Sequence, residues 1–366
     1  MCQSLERLGH HVEIAIIGKD KYGIWNGPYI ELSVVPIKFV RSVSFWTNNI
    51  LKFVLSCIKG KPDVVILDIF SLWMSVPLLI LPRSKRPLFI VDNRTPFFGM
   101  GARSNGVKSI IVGAYTWISY KYAKSFLDGM TVITEHYKNR LCDRYGFSNS
   151  KIGIWSSGVD VDQFSVDTSD IDDPALENKF LIIQHGEISY NRGLFETVKA
   201  ISLLPERKIT LLLIGDSVRS DAKNELWEYA KQLGISDRLI LKPPIEHSRI
   251  PQYIKKADCA VMAYPDIEYW NSNNPIKLLE YLALGKVIIC TDTWTFRNVM
   301  QNSNCGCYIE DNKPESIAKA MLFCYENRDN LKSWGEEGVK IVKNRFTWEQ
   351  QARELIKFIH QLSSNK

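Results

Sequence analysis

Short apolar runs rich in Val and Ile alternate along the chain with longer stretches whose apolar positions recur at helical spacing, the pattern of parallel sheets built from βαβ units. In the first half, strands are predicted at His11–Gly18, Ile30–Val35, Pro62–Asp68, Leu88–Asn93, Met130–Thr134 and Lys151–Trp155. In the second half they fall at Phe180–His185, Thr210–Ile214, Arg238–Leu241, Cys259–Ala263, Val287–Thr291 and Cys307–Ile309. The expected fold is therefore α/β, with two Rossmann-like doubly wound parallel-sheet domains. The stretch Val166-Asp-Thr-Ser-Asp-Ile-Asp-Asp-Pro-Ala is acidic and aperiodic, which places a linker at about 165–178. The domains are then 1–165 and 166–345, with a final helix in 346–366 expected to pack back toward the N-terminal domain. The opening Met1–Gly9 reads as a helix feeding a strand, as if the chain began inside the first crossover of its domain. The first domain is thus expected to lack its opening strand, with Met1 an internal or mis-assigned start.

Composition narrows the class. With 366 residues, 45% hydrophobic and 23% charged, the chain can bury a core, which excludes a disordered or fibrous polymer. The net charge of +6 is unevenly spread. Residues 1–165 hold 20 Lys+Arg against 12 Asp+Glu, and residues 166–366 hold 26 against 28, giving +8 and −2. A basic half either meets something anionic, such as a membrane surface or a phosphorylated substrate, or is an ordinary solvated face. No nucleic-acid partner is expected. The eight cysteines are scattered without zinc-knuckle or CxxC spacing, which suits reduced thiols in a cytoplasmic protein. No signal peptide opens the chain. The most apolar window, Val64–Leu81, contains Asp68 and Pro77 and is read as a buried strand followed by a helix rather than a membrane span.

The segment from Tyr264 to Asp292 carries the most chemistry. Asn274 suits an N-cap, Pro275 the first helical position, and Gly285 the helix end before the strand Val287–Thr291. Leu278, Leu279 and Leu282 are expected to face the sheet, leaving Lys277 and Glu280 on the exposed side. A helix start at the carboxyl end of a parallel sheet favours anions, and a carboxylate one turn in suits two vicinal ribose hydroxyls. A surface salt bridge between Lys277 and Glu280 is the alternative.

The pattern Pro275-x-Lys-x-x-Glu-Tyr-x-Ala-x-Gly-Lys resembles the donor-site motif of the retaining glycosyltransferases of family four, which have the two-domain GT-B fold. Gly158-Val-Asp-x-x-x-Phe164, His185-Gly186 followed by Arg192-Gly193, Leu212–Gly215, Pro243-Pro244 and Ile250-Pro251-x-Tyr253 follow in the same order. The resemblance implies two domains facing across a cleft, the second holding a nucleotide-diphosphate sugar and the first a saccharide or lipid-linked saccharide acceptor. It implies that Arg192 holds the diphosphate with backbone groups near Gly186, that Glu280 binds the ribose, and that amides around Asn273 and Asn274 meet the sugar. Pro244 and Ile245 belong to the same donor-binding set.

Two positions depart from the family. Glu187 stands where the first of two basic residues is expected, so the diphosphate must lean on Arg192, backbone N–H groups and Lys277. Ser272 stands where many members carry a second carboxylate, and either Asp266 or Glu268 is available to replace it. In the first half, Asp92 and Arg94 follow a buried strand. They either orient a substrate or form a buried pair bracing the loop. The region Asn105–Lys124 is Lys- and Tyr-containing and amphipathic, suited either to lipid head groups or to an ordinary helix with one face in the core.

The expected activity is metal-independent transfer of a hexose-type sugar to a hydroxyl with retention, in bacterial surface polysaccharide or glycolipid synthesis, with no cofactor beyond the donor and contact with the inner membrane face. A nucleotide-sugar 2-epimerase of the same fold, or a degenerate non-catalytic nucleotide-sugar-binding subunit, are the alternatives.

Overall fold

The computed structural model describes residues 1–17, 28–32, 41–96, 107–166, 168–217 and 221–364. Of the expected strands, residues 18 and 33–35 lie outside the described residues, as do residues 105 and 106 of the amphipathic region. The chain forms two compact units, Met1–Trp155 with Ala352–Lys366, and Ser156–Gln351. It passes from one to the other at Trp155–Ser156 rather than at 165, because Val159 pairs with Thr347 and Phe164 enters the core of the second unit. The acidic stretch read as a linker is docked on that unit by Lys242–Asp173, Lys255–Asp170 and Lys256–Glu177 ion pairs.

The first unit contains a parallel pair, β1 (Ile14–Ile17) and β2 (Tyr29–Leu32), and a parallel sheet in the order β3 (Val64–Leu67), β4 (Leu88–Asn93), β5 (Gly129–Val132) and β6 (Ile152–Ile154). Phe89 and Val91 face a core with Tyr120 and Tyr137. Leu88 and Ile90, on the opposite face, meet Phe358 and Leu362 of the terminal helix Trp348–Ser364. This alternation within β4 shows a strand covered on both sides, which is why it reads as a continuous apolar run. After β3, Asp68 accepts the N–H groups of Phe70 and Ser71, and the chain enters 3₁₀ turns over Leu72–Ile80. Pro77, inside that run, cannot donate to an α-helical ladder, which accounts for the absence of the regular helix expected there. Among the described residues no helix is long and apolar enough to cross a membrane.

The second unit holds six parallel strands: β7 (Phe180–His185), β8 (Ile209–Ile214), β9 (Leu239–Lys242), β10 (Cys259–Met262), β11 (Val287–Thr291) and β12 (Gly306–Ile309). Their order is β12-β11-β10-β7-β8-β9. Successive strands run outward from β7 in one direction and from β10 in the other, so the topological switch point lies between β7 and β10. Ligands of doubly wound sheets bind beyond the carboxyl ends of the strands at such a point. Two buried cores, one on each face, fix these strands in place.

Candidate functional site

Both segments singled out in the second half of the sequence emerge at this switch point. The turn from His185 to Gly193 leaves β7, and the chain from Tyr264 to the helix Ile276–Ala283 leaves β10. Gly186 has φ +97, a conformation that a side chain strongly disfavours, and an added Cβ would lie 2.5 Å from Lys277 Cε and Nζ. Gly193, at φ +66, turns the chain into the helix Leu194–Leu203 and lies against the carbonyl of Ala263. Glycine at both positions lets the two segments approach.

The helix differs from its sequence reading in start and exposure. It begins at Ile276 with Pro275 as its cap residue, one position later than expected, because Pro275 is extended at ψ 126 and its carbonyl accepts the first bond, from Leu278. Glu280 is not exposed: it lies in a run of buried residues from Leu278 to Ala283. Nor does it form the surface pair with Lys277. Glu280 Oε2 accepts from His185 Nε2 and Oε1 from His247 Nε2, each at 2.8 Å. Burial alone would raise the pKa of this carboxyl, but the two imidazole donors outweigh it and hold the group down at about 2. Sequence alone assigns neither histidine a role at the donor site. A His-Gly pair at a strand end was the only local signal for His185, and there was none for His247.

Lys277 Nζ is buried with no hydrogen-bond partner among the described residues. Burial, and then the nearby Arg192 charge, lower its pKa from 10.5 to about 7. Arg192 donates to Ser189 Oγ at 3.2 Å, Tyr264 Oη at 3.4 Å and Glu187 Oε2 at 3.1 Å, and lies 5.5 Å from the centre of the Trp270 ring. Two cations thus stand beside the Gly186 turn, one engaged by a carboxylate and one without a hydrogen-bond partner among the described residues.

The loop before the helix is tightly braced. Asn274 N–H donates to Asn273 Oδ1, Asn273 N–H to the Trp270 carbonyl, and Thr295 Oγ1 to the Asn273 carbonyl. The amides expected to meet a sugar are therefore bonded within the loop. The Asn274 side chain donates to Ser156 Oγ at 2.6 Å. Buried Ser272 donates to Glu268 Oε1 at 3.2 Å, whereas Asp266 accepts from Asn271 at the surface. Of the two carboxylates proposed to replace the missing one, Glu268 is the one beside Ser272. Pro244 and Ile245 lie in the loop after β9, Pro244 exposed and Ile245 half-buried against the core.

In the first unit, Asp92 and Arg94 do not form a direct pair. Asp92 accepts from Thr131 Oγ1 at 2.8 Å, and burial raises its pKa against the opposing pull of Arg94. The Arg94 guanidinium donates to the Trp155 carbonyl at 2.7 Å and lies 3.6 Å from the centre of that indole ring. Asp92 is thus engaged by Thr131, and Arg94 by Trp155.

An all-parallel sheet with this strand order, and with charged residues gathered at its switch point, defines a Rossmann-like α/β unit. Comparison with known proteins takes the assignment further. The chain matches the family models for Glycosyl transferases group 1 over residues 167–341 and Glycosyltransferase Family 4 over residues 1–163, which together account for nearly the whole chain. It is 25% identical over 238 residues to a D-inositol 3-phosphate glycosyltransferase of Xylanimonas cellulosilytica, covering 63% of this chain and 56% of that protein. It is 21% identical over 259 residues to an uncharacterized glycosyltransferase of Methanocaldococcus jannaschii, covering 67% of this chain and 63% of the relative. The chain thus spans a little over half the length of the curated relatives it matches. Among solved structures, a glycosyltransferase from Rickettsia africae superposes with TM-score 0.76 at 19% identity, over 100% of this chain and 93% of the other. Anabaena HepE in complex with UDP superposes with TM-score 0.73 at 12% identity, over 100% and 94%. The chain belongs to the family 4 glycosyltransferases and has their GT-B fold.

Proposed function

We propose that the protein transfers a sugar from a nucleotide-diphosphate donor to a hydroxyl acceptor, with retention and without a metal ion, the second unit holding the donor. The observation that carries this reading is Lys277 Nζ, buried beside Arg192 and the Gly186 turn and without a hydrogen-bond partner among the described residues. A buried ammonium without a partner is costly, and an anion at the switch point would satisfy it. Arg192 and Lys277 would then bind the diphosphate and stabilise the charge it gains as the glycosidic bond breaks. Glu280 would take the ribose hydroxyls, and Pro244 and Ile245 the base. The sugar would lie against Glu268 and the Asn273–Asn274 segment. HepE has been solved with UDP-glucose, which supports a nucleotide sugar as donor class. The test is calorimetric titration with UDP, ADP and GDP and their sugars: micromolar binding that is lost in Arg192→Ala and Lys277→Ala supports the reading, and no binding by the wild type overturns it. The Glu187–Arg192 pair favours one alternative, a degenerate subunit that binds donor without transferring sugar; a radiolabelled-sugar transfer assay separates the two.

We further propose that the first unit meets a saccharide or lipid-linked acceptor at the cytoplasmic face of a membrane, in polysaccharide or glycolipid synthesis. Its residues total 23 Lys+Arg against 11 Asp+Glu, a net +12, while the second unit stands at 23 against 29, a net −6. Within the helix Val107–Phe126, Ile110, Ile111, Trp117 and Ile118 are exposed, and Lys121 Nζ lies 5.7 Å from the Trp117 ring centre. Exposed apolar side chains with a lysine beside them, on a unit of net positive charge, suit an anionic bilayer surface. Co-sedimentation with phosphatidylglycerol vesicles, weakened by Trp117→Ser together with Ile118→Ser, is the expected result.

A further inference from the structure

Glu280 raises a difficulty for its proposed role. A carboxylate that receives two ribose hydroxyls must present its oxygens, yet its side chain is 4% exposed and each oxygen already accepts an N–H. The two donors are not equivalent. His185 is 7% exposed. Tyr281 Oη accepts the His185 backbone N–H at 2.9 Å, so its own hydrogen goes to His185 Nδ1, also at 2.9 Å. That arrangement leaves the His185 ring proton on Nε2, pointing at Glu280, and the buried ring cannot turn away without also breaking its Nδ1 bond to Tyr281 Oη. His247 is far less enclosed. Its side chain is 62% exposed in the loop between β9 and the helix Ile250–Lys256. It is held by Gln163, whose Nε2 donates to His247 Nδ1 and to its carbonyl, both at 3.1 Å, and it rests 5.2 Å from the Phe164 ring centre.

We infer that His247 is a displaceable stand-in for the nucleotide: its Nε2–H occupies on Glu280 Oε1 the position that a ribose hydroxyl takes when the donor binds, so that the loop carrying His247 must release Glu280 before the site fills. This rests on the donor-site reading of Glu280. It makes His247 a positioning residue that competes with substrate rather than one that contacts it. The groups facing His247 are Glu280 and, behind it, His185 and Lys277; Gln163 and Phe164 are uncharged. The hydrogen bond to Glu280 raises the His247 pKa above its ordinary 6.5. Below that raised value the ring is charged: Nδ1 gains a proton and gives up its bond from Gln163, while the imidazolium grips Glu280 harder, so competition strengthens as the pH falls.

The experiment measures dissociation constants of UDP, ADP and GDP by calorimetry from pH 6 to 8.5 for the wild type, His247→Ala and His247→Gln. Lys277 and the ligand phosphates titrate in the same range, so the quantity read at each pH is the ratio of wild-type to variant constants, in which those shared contributions cancel. His247→Ala is expected to bind the preferred nucleotide about threefold to tenfold more tightly at pH 6, with the advantage shrinking toward pH 8.5. His247→Gln keeps an N–H for Glu280 without titrating, so it should resemble the high-pH wild type throughout. Weaker binding by His247→Ala at every pH would overturn the inference and leave the donor site standing. Absence of binding by the wild type and both variants would overturn the donor-site reading and this inference with it.

Discussion

Arg192 forms an ion pair with Glu187, Nη2 to Oε2 at 3.1 Å, within a single turn of chain after β7. The arginine suited to a diphosphate is thus already engaged by a carboxylate five residues before it, at the position where the family resemblance calls for a second cation. A phosphate approaching Arg192 must compete with Glu187 or push it aside. The pair is accessible, with the Glu187 side chain 41% exposed, so water screens it and its strength is modest. Glu187→Gln is accordingly expected to tighten UDP binding about threefold, and Glu187→Lys, which restores the basic pair, by more. Calorimetry reads both; weakening in either variant would mean that Glu187 orients Arg192 rather than opposing the ligand.

Lys277 should reveal itself by trading stability for binding. Its folded pKa of about 7 lies below the 10.5 expected of an unhindered lysine, so between these values the unfolded chain holds a proton that the folded chain has lost. Stability therefore rises with pH across that window, and the depressed lysine costs most below pH 7. Lys277→Met removes the buried ammonium and fills the same space. It should raise the melting temperature by a few degrees at neutral pH, a gain on the order of 1–3 kcal/mol as for other buried charges replaced by apolar groups. The advantage should narrow toward pH 10. The same variant should lose diphosphate affinity, and wild-type affinity should fall as the pH rises above 7 and Lys277 loses its charge. A thermal melt and a titration on one preparation test both halves.

These pairings explain which parts of the molecule were legible in the sequence. Parallel strands covered on both faces must be apolar throughout, so β4, β7 and β8 stand out as runs such as Leu88–Asn93 and Phe180–His185. The resemblance to the family brought Arg192, Lys277 and Glu280 to one site, and the strand order places them around the switch point. Burial of Glu280 was not legible. Helical spacing separates the face with Leu278 and Leu282 from the face with Lys277 and Glu280, but a short helix at the end of a sheet is covered on both. What covers the second face comes from His185 and His247, which are distant in sequence, and no local pattern announces such contacts. The same holds for Arg94: its guanidinium lies on Trp155, from the far end of the unit's β-sheet, and only the folded chain brings the two together.

That contact supports a prediction about stability in the first unit. Arg94 is largely buried, donates to a backbone carbonyl and stacks on an indole, and burial lowers its pKa to about 10. Arg94→Ala would remove the packing and leave the Trp155 carbonyl without that donor, costing about 1–3 kcal/mol. Lysine has neither the planar fork nor the stacking surface, so Arg94→Lys should recover little. Chemical denaturation measures the loss. A variant of normal stability with a raised KM for acceptor would instead assign Arg94 to substrate.

Ser272 and Glu268 offer the sharpest test of the sugar site. Ser272 is fully buried and its hydroxyl bonds to the Glu268 carboxylate one helical turn earlier, so a carboxylate stands beside the position at which the family resemblance calls for one. If Glu268 performs that role, Glu268→Gln should lower kcat by about tenfold to a hundredfold, in the range for loss of one charged contact to a reacting sugar, while Asp266→Asn should leave it unchanged. Restoring the family residue alone should fail. Ser272→Glu would force a larger side chain into a filled space and set two carboxylates side by side, so that one must take up a proton or the loop must move. The double variant Ser272→Glu with Glu268→Ser moves the carboxylate to the family's position without adding charge, and should recover activity lost in Glu268→Ser. Steady-state transfer rates for the two single variants and the double variant decide it: recovery in the double assigns the carboxylate's function to this pair of positions, and additive losses would show that Glu268 has no such role.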